Sequence, residues 1–311
     1  MLPPYARVTM ARSQEGPWEV QTPAGRLEVS GSQSEGLQEA INYAAANGLG
    51  LEVIGGTYGN NGLERNAITC KATVDVPMME NAHWRFDGVI LRFPGVKGDG
   101  LRFDTLLHCD LNLGCVIEYR GDGAAVHIHP RASYGALGGP VMFIDNRLWI
   151  TRVRVFGGNM PDGLKLSGPN IQRNRIEMLE IEGEASRDNP LLGVMRYGIN
   201  LTDVGGGGKI SNWFTVQALL RPGLRGIRID PRAGSGNRFS AHIEPYGATG
   251  GGIDTAGTFD RFDVGISNGQ GPFSVGIELQ QGADHNIFIV QRNDGRPPLD
   301  DSSGKTGNRF L

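Results

Sequence analysis

Two repeats in the sequence predict an all-β fold, a single-stranded parallel β-helix (a solenoid) with an N-terminal capping helix. In the first repeat, an asparagine or aspartate stands two residues before a large apolar residue. It recurs at intervals of 28, 38, 25, 23, 26 and 22 residues. Its members are Asn146, Asn174, Asn212, Asn237, Asp260, Asn286 and Asn308. Recurrence at this spacing, with longer insertions, is typical of a chain that completes one coil per repeat.

The second repeat is a glycine, or once an alanine, followed by a short strand of alternating apolar and polar residues. These strands begin at Gly100, Ala125, Gly163, Gly198, Gly226, Gly252 and Gly276. Such alternation places apolar side chains on one face of a strand and polar ones on the other. We therefore expect stacked parallel strands around an apolar core, with glycines marking the turns. The asparagines are expected to stack as a ladder at inward-facing bends.

Composition and charge narrow the functional classes. The chain has 311 residues, 48 of them glycine, and a net charge of −3. Scattered basic residues and a slightly negative charge disfavour a nucleic-acid partner. No segment approaches the ~20 apolar residues of a membrane span, and the start lacks the apolar core of a signal peptide. We predict a soluble protein with no membrane partner, secreted or virion-associated if a leader or other segment is missing.

The three cysteines do not indicate a metal site. Cys70, Cys109 and Cys115 are an odd number and contain no Cys-x-x-Cys pair. The favoured interpretation is that they are small core residues on early coils, and the alternative is that two of them form a disulfide.

The N-terminal region is predicted to cover one end of the coils. Residues 1–30 are irregular or contain a short strand pair, and residues 34–48 form a helix with Ser34 as its N-cap. This gives a cap over residues 1–58 and a single β-helical domain over residues 59–311. A helix at the mouth of a solenoid shields the apolar end of the stack.

A family resemblance begins at the N-terminal helix and continues in the segment after it, Leu51-Glu52-Val53-Ile54-Gly55-Gly56-Thr57-Tyr58. Together they resemble the N-terminal cap and first coil of the pectin-lyase-like right-handed parallel β-helix superfamily. The coil repeat extends this resemblance over most of the chain. The resemblance implies a right-handed β-helix of a group that contains polygalacturonases, pectate-lyase-like enzymes, epimerases and phage tailspikes. The polygalacturonase signatures are absent, and residues 221–225 are one residue shorter than the Arg-x-Pro-x-x-Arg of pectate lyases. No catalytic residue is carried over from either subgroup.

The second repeat also defines two outward-facing columns of side chains on the same strands. The first column, two residues after each glycine or alanine, contains Arg102, His127, Lys165, Asn200, Arg228, Asp254 and Glu278. The second, four residues after it, contains Asp104, His129, Ser167, Thr202, Asp230, Ala256 and Gln280. With ~4.8 Å between rungs, the columns form an ionisable strip ~30 Å long if no rung is skipped. Insertions at 130–140, 184–196 and 205–208 are expected to wall a groove beside it.

The acidic end of the strip offers Asp230, Asp254 and Glu278 as catalytic residues. Asp254 and Glu278 on neighbouring rungs would lie roughly 5 Å apart, as in retaining glycosidases, and their repulsion would raise one pKa. Asp230 and Asp254 would lie about 8 Å apart, within the range of inverting enzymes. In the alternative interpretation these strands are a solvated polar face on which Arg228 neutralises the acids. Calcium shared by Asp230 and Asp254 is the one candidate cofactor.

The basic end of the strip suits an acidic sugar. Arg102, His127 and His129, together with Arg228, are candidate substrate-binding residues because cations bind carboxylates. Lys165 is a candidate catalytic base for removing the proton α to a uronate carboxyl in a β-elimination. The alternative is that the two histidines simply occupy exposed strand positions.

Four aromatic residues are candidates for stacking on sugar rings: Trp84, Trp149, Trp213 and Tyr246. For Trp149 and Trp213, which lie near the asparagine repeat, the default expectation is a core or rung-stacking role.

The strip and its flanking insertions predict a carbohydrate-active enzyme of the glycoside hydrolase or polysaccharide lyase type. Its polysaccharide or oligosaccharide substrate would lie along the outer face of the β-helix. The alternative is a non-enzymatic homotrimer, a tailspike-like or adhesin-like module that binds glycans or neighbouring chains. The low aromatic content and a final rung that stops as its strand begins favour this alternative.

Overall fold

The computed structural model shows a chain built mostly from β-strands. It describes residues 7–12, 16–55, 66–133, 139–157, 160–184, 194–204, 208–245, 250–267, 275–291 and 299–311. Within these residues the strands form three sheets, and the single α-helix, α1, spans Leu37–Ala46. No helix among them is long and apolar enough to cross a membrane.

The strands are numbered β1 to β29 in chain order. Sheet A contains β1 (Arg7–Arg12), β2 (Trp18–Thr22), β3 (Gly25–Leu27), β4 (Gly50–Ile54), β5 (Ala67–Thr69), β8 (His83–Val96), β11 (Asp110–Gly121), β14 (Arg147–Val155), β17 (Arg175–Gly183), β20 (Trp213–Leu220), β23 (Arg238–Glu244), β25 (Arg261–Ile266), β27 (Ile287–Gln291) and β29 (Arg309–Phe310). Sheet B contains β6 (Val74–Val76), β9 (Leu101–Phe103), β12 (Ala124–Ile128), β15 (Asp162–Leu166), β18 (Met195–Leu201), β21 (Pro222–Ile229), β24 (Gly251–Thr255), β26 (Val275–Leu279) and β28 (Leu299–Asp301). Sheet C contains β7 (Met79–Glu80), β10 (Leu106–Leu107), β13 (Phe143–Ile144), β16 (Ile171–Gln172), β19 (Lys209–Ile210) and β22 (Gly234–Ser235).

Successive segments of the chain visit the three sheets in a fixed order. Strands β13, β14 and β15 lie in sheets C, A and B, and β16, β17 and β18 repeat that order. Each of these strands pairs in parallel with its counterpart in the next set. The N-terminal strands β1, β2 and β3 pair antiparallel, which confirms the predicted strand pair. Parallel sheets stacked in this order are consistent with an all-β parallel solenoid.

The inward faces of the sheets form one apolar core. Alternating residues of the strands are buried, as the period-two pattern predicts. Four phenylalanines, each two residues after a member of the asparagine repeat, stack with ring centroids 4.7, 5.0 and 4.8 Å apart: Phe214, Phe239, Phe262 and Phe288. All three cysteines are buried and free, which confirms that they are core residues.

The predicted asparagine ladder is present. Asn146 Nδ2 donates to Asn174 Oδ1 at 3.0 Å and to the Leu106 carbonyl at 3.0 Å, and the Asn146 N–H donates to Asn174 Oδ1 at 2.9 Å. Backbone N–H to side-chain oxygen bonds continue from rung to rung as far as Asn308. The amides therefore bond polar groups in the preceding coil and in the next one, as buried polar groups require.

Apart from Gly100, which directly precedes β9, the glycines of the second repeat lie inside strands and face the core, so the prediction that they mark turns is wrong for them. A Cβ on Gly198 would collide with Leu219, and one on Gly252 would lie 2.6 Å from Ile266 Cδ1. Glycine is needed here for space. Because Gly198 and the next residue, Ile199, are both buried, strict alternation breaks at the glycine.

The helix is shorter than predicted but packs as expected of a cap. It begins at Leu37, because Gly36 adopts the left-handed conformation with φ 98°. Ser34 lies outside the helix, although its Oγ accepts a hydrogen bond from the N–H of Gln38 at 2.9 Å. Leu37 and Ile41 are buried, and the helix packs against β1, β4 and β6.

Candidate functional site

The first predicted column is continuous on sheet B. Backbone pairing sets its members opposite one another on successive strands, with no rung skipped: Arg102, His127, Lys165, Asn200, Arg228, Asp254 and Glu278. Asp75 and Asp300 extend the row, which we call the polar column, at its two ends. Eight steps of ~4.8 Å make it ~38 Å long. His127 and Asn200 are buried, at 7% and 4% exposure, and so differ from the exposed positions predicted.

The second predicted column is only partly at the surface. Its members follow the ends of the sheet B strands, and Ser167, Thr202 and Ala256 are buried. Asp230 and Gln280 remain half-buried beside the polar column.

Asp254 and Glu278 lie directly opposite each other on β24 and β26. Glu278 accepts hydrogen bonds from Arg225 Nη2 and Gln280 Nε2, both at 2.5 Å. Burial and then the charge of Glu278 raise the pKa of Asp254 above its ordinary value, although Gln280, Arg228 and Arg225 act to lower it. Asp254 Oδ1 is buried and has no hydrogen-bond partner in the described residues. The pair is therefore asymmetric, with the pKa of Asp254 raised and Glu278 held by an ion pair.

Arg228 is fixed between the other predicted acids. Its Nη2 lies 2.8 Å from Asp230 Oδ1, an ion pair without hydrogen-bond geometry, and its Nε lies 3.9 Å from Asp254 Oδ2. Its Nη1 donates to the Tyr197 hydroxyl at 2.7 Å, and its guanidinium lies 5.0 Å from the centre of that ring. A cation already stands where calcium would bridge Asp230 and Asp254. Among the described residues, no cluster of three or more His, Cys, Asp or Glu side chains could hold a metal ion.

Sequence reasoning missed several residues at this site. Arg225 binds Glu278, Tyr197 supports Arg228, and the buried Asp162 accepts a bidentate pair of bonds from Arg196 at 2.9 and 3.0 Å. Asp162, Tyr197 and Arg225 each immediately precede a glycine of the second repeat. Strict alternation assigns that position to the core. A polar or aromatic residue recurring before the glycine is the signal that could have revealed them.

At the basic end, the two predicted histidines belong to an internal hydrogen-bonded chain. His127 Nδ1 lies 2.7 Å from Asp99 Oδ2, and its Nε2 lies 2.7 Å from Ser167 Oγ, which in turn lies 2.7 Å from His129 Nδ1. Burial acts to raise the pKa of Asp99, but the hydrogen bond and charge of His127 bring it below its ordinary value. Burial, then the charge of His127, lowers the pKa of His129.

The order carboxylate, imidazole, hydroxyl matches that of a serine nucleophile triad. However, Ser167 is 1% exposed, and the N–H groups of Ser167 and Gly168 donate to the carbonyls of Ile128 and Val204. Neither N–H is therefore available as an oxyanion donor. The chain of bonds is best understood as a rigid network that keeps His127 away from the surface.

Lys165 and Arg102 complete the basic end but do not meet the acids. Arg102 is held by a bidentate pair with Asp75, at 2.7 and 3.0 Å. Lys165 is half-buried and forms no ion pair within the part of the chain that the structure describes. It lies three rungs from Asp254, ~14 Å along the column. The structure thus separates the predicted catalytic residues into Lys165 on one side and Asp230, Asp254 and Glu278 on the other.

The described residues include only part of the predicted groove walls and of the predicted aromatic residues. Tyr246 and the central parts of the three insertions, 134–138, 185–193 and 205–207, lie outside the described residues. Trp84 is buried, whereas Trp213 is 49% exposed and stacks with Arg238 of the next rung, so of its two expected roles the core one is wrong and rung-stacking is observed. A groove of about 580 Å³ lies on sheet A rather than over the polar column.

Comparison of the chain with protein-family models, with curated proteins and with solved structures gives no match. The case for a function therefore depends on the side chains themselves. The most distinctive of them is Asp254, a carboxyl whose pKa is raised, beside the ion-paired carboxylate of Glu278.

Proposed function

We propose that the protein is a carbohydrate-active enzyme of the pectin-lyase-like right-handed parallel β-helix superfamily. Its substrate, a polysaccharide or oligosaccharide, would lie along the outer face of sheet B. The N-terminal resemblance, the fixed order of three parallel sheets and the asparagine ladder support the β-helix. The continuous polar column supports an extended substrate, because each rung can present a different side chain to a different sugar unit.

The observation that carries the proposal is the unequal pair of Asp254 and Glu278. A glycoside hydrolase needs one carboxylic acid to protonate the leaving oxygen and one carboxylate to attack or to activate water. Asp254 suits the acid, because burial and the neighbouring charge raise its pKa. Glu278 suits the carboxylate, because Arg225 and Gln280 hold both of its oxygens.

The rung spacing favours a retaining mechanism. Adjacent rungs are ~4.8 Å apart, close to the ~5–5.5 Å between carboxyl groups of retaining enzymes. Asp254 would give its proton to the glycosidic oxygen while Glu278 attacks the anomeric carbon and forms a glycosyl ester. Asp254, now ionised, would take a proton from the water that hydrolyses this ester. Asp230, which is paired with Arg228, would orient that guanidinium rather than act as a base.

Hydrolysis fits the site better than β-elimination. Elimination requires a base at the bond that is cleaved, and Lys165 lies ~14 Å from Asp254 along the column. In the proposal Lys165 binds a carboxylate of an acidic sugar several units away from the cleaved bond.

The test is an assay on uronate-containing and neutral polysaccharides that follows reducing ends and the absorbance of unsaturated products. We expect reducing ends without unsaturated product. Asp254→Asn and Glu278→Gln should each lower kcat by roughly 100-fold or more, since general acid–base catalysis contributes 10²–10⁴-fold. Asp110→Asn, on the exposed start of β11, is the control and should keep full activity. No turnover on any substrate, or turnover unaffected by both site variants, would contradict the proposal.

A further inference from the structure

A second row of aligned side chains lies on the outer face of sheet A, directly after the asparagine ladder. Backbone pairing on β14, β17, β20, β23 and β25 aligns its five members: Arg147, Arg175, Trp213, Arg238 and Arg261. We call this row the arginine–tryptophan strip. All five residues are exposed, and four steps of ~4.8 Å make the strip ~19 Å long.

The strip exposes side chains that a structural role does not explain. Each member follows a ladder residue, so the ladder residue faces inward and the strip residue faces solvent. Trp213 is 49% exposed, and Phe259, just before the ladder residue that precedes Arg261, is 63% exposed. Aromatic rings left at the surface beside cations are typical of binding sites.

The strip also carries an excess of positive charge on a chain whose net charge is −3. Arg147 and Arg175 share one carboxylate, that of Glu177, at 3.4 and 2.7 Å. Arg238 stacks over Trp213, with 5.6 Å between its guanidinium carbon and the ring centre. Within the described residues, Arg238 and Arg261 form no ion pair. Two guanidinium groups on neighbouring rungs are thus free to bind anions, which arginine does through paired hydrogen bonds.

The groove of about 580 Å³ runs beside the strip. Its lining includes Thr215 and Ser240, each two residues after a strip residue and so on the same face of the sheet. Gln217, Ser267 and Gln291 add amide and hydroxyl groups, and His242 and Asp263 also line the groove. Neutral hydrogen-bonding groups of this kind suit the hydroxyls of a sugar.

We propose that the arginine–tryptophan strip and this groove form a binding site for an acidic polysaccharide that runs across the strands of sheet A. Arg238 and Arg261 would bind its carboxylates or sulfates, Trp213 would stack on a sugar ring, and the groove would bond its hydroxyls. A nucleic acid fits less well, because the groove beside the strip offers hydroxyl and amide groups rather than further cations for a continuous row of phosphates. The site is on a different sheet from the polar column and does not depend on any activity there.

Binding of the full chain to polygalacturonate, to a neutral glucan and to single-stranded DNA, measured by calorimetry at two salt concentrations, tests this site. We expect salt-sensitive binding of polygalacturonate, and at least tenfold weaker binding by the double variant Arg238→Ser, Arg261→Ser, as loss of charge-assisted hydrogen bonds implies. Trp213→Ala should weaken binding as well. Arg26→Ser, at an arginine with a 60% exposed side chain on β3, is the matched control and should bind as the unmodified chain does.

Three results would overturn the assignment: no binding of polygalacturonate, unchanged affinity in the double variant, or DNA bound as tightly as polygalacturonate. Thermal melting of each variant separates lost binding from lost folding. Asp254→Asn should retain polygalacturonate binding at the strip whether or not it abolishes turnover, so failure of the proposed hydrolase and failure of this site are distinguishable.

Discussion

The asparagine ladder and the polar column are both rows of polar side chains stacked one per coil, yet they behave differently. In the ladder nearly the same residue recurs, and each asparagine from Asn146 to Asn286 donates to the side chain of the next ladder residue at about the same distance. In the column the residue type changes from rung to rung, and charges pair both within the row, as Arg102 does with Asp75, and outside it, as Glu278 does with Arg225. Because the ladder repeats one residue type, its side chains satisfy one another's hydrogen bonds and stabilise the coils. Because the column varies its residue type, side chains such as Asp254 and Lys165 keep polar atoms that can bind a ligand.

Two carboxyl groups with raised pKa values, Asp260 and Asp254, make this comparison concrete. Asp260 is the one acid of the ladder, and burial raises its pKa to about 7. Its Oδ1 accepts from the N–H and Nδ2 of Asn237, at 2.7 and 3.1 Å. Its Oδ2 is buried without a hydrogen-bond partner in the described residues, at the position where the amide nitrogen of Asn286 donates to the Gly257 carbonyl at 2.9 Å. A protonated Asp260 can therefore act as an asparagine, whereas Asp254 has no such repeating partner.

The largest expected effect comes from breaking the ladder with Asn212→Ala. Its Nδ2 donates to Ile171 and Asn237, and its Oδ1 accepts two bonds from Asn174. Removing the amide leaves several buried groups unpaired, at 1–3 kcal/mol each, so we expect a loss of about 4 kcal/mol in unfolding free energy. Chemical denaturation measures it, with Ser211→Ala at the exposed neighbouring position as control. A loss below ~1 kcal/mol would contradict the structural role of the ladder.

Asp260→Asn should stabilise the protein, and increasingly so as the pH rises. The carboxyl ionises near its ordinary value of 3.8 in the unfolded chain, whereas in the folded chain its pKa is about 7. The stability of the unmodified chain relative to the variant therefore falls across this interval. Each pH unit is worth about 1.4 kcal/mol, so the difference approaches roughly 4 kcal/mol at neutral pH and then levels off. Unfolding free energies between pH 4 and 8 test this, and a difference independent of pH would refute it.

Ser167→Ala should have an intermediate effect on stability. It leaves the facing nitrogens of His127 and His129 without their shared hydroxyl, which costs about 1–3 kcal/mol in unfolding free energy. The turnover rate should stay within about twofold of that of the unmodified chain, because the Ser167 hydroxyl lies three rungs away from Asp254. Ser240→Ala, on the exposed face of sheet A, is the control. Loss of turnover with intact folding would instead identify Ser167 as a nucleophile.

The smallest effect on stability is expected for Lys165→Ala, a column residue without an ion-pair partner in the described residues. Unfolding free energy should change by less than about 0.5 kcal/mol. On an acidic substrate, KM should rise with kcat nearly unchanged, because the lysine would bind substrate and transition state equally. A fall in kcat with constant KM would instead show that Lys165 takes part in catalysis.

The sequence predicted the ladder and the register of the polar column because both depend on one residue type returning once per coil. It did not predict the core-facing glycines, since their cause is the collision of a Cβ with residues such as Leu219 on another strand. Because of the same break in alternation, the sequence did not predict Asp162, Tyr197 and Arg225 as residues of the site. The bond from Arg225 to Glu278 spans 53 residues and two rungs. Such a contact depends on side-chain reach, which no spacing rule contains.

The most direct test of the central claim compares Asp254→Asn with Asp260→Asn in one experiment that measures both turnover and melting temperature at neutral pH. Both variants remove a carboxyl whose pKa is raised in the folded chain, so neither should melt below the unmodified chain. We predict that Asp254→Asn loses turnover on the best substrate of the panel by roughly 100-fold or more while Asp260→Asn keeps it. Full turnover in Asp254→Asn, or equal losses in both variants, would contradict the assignment of the polar column as the site and the ladder as the scaffold.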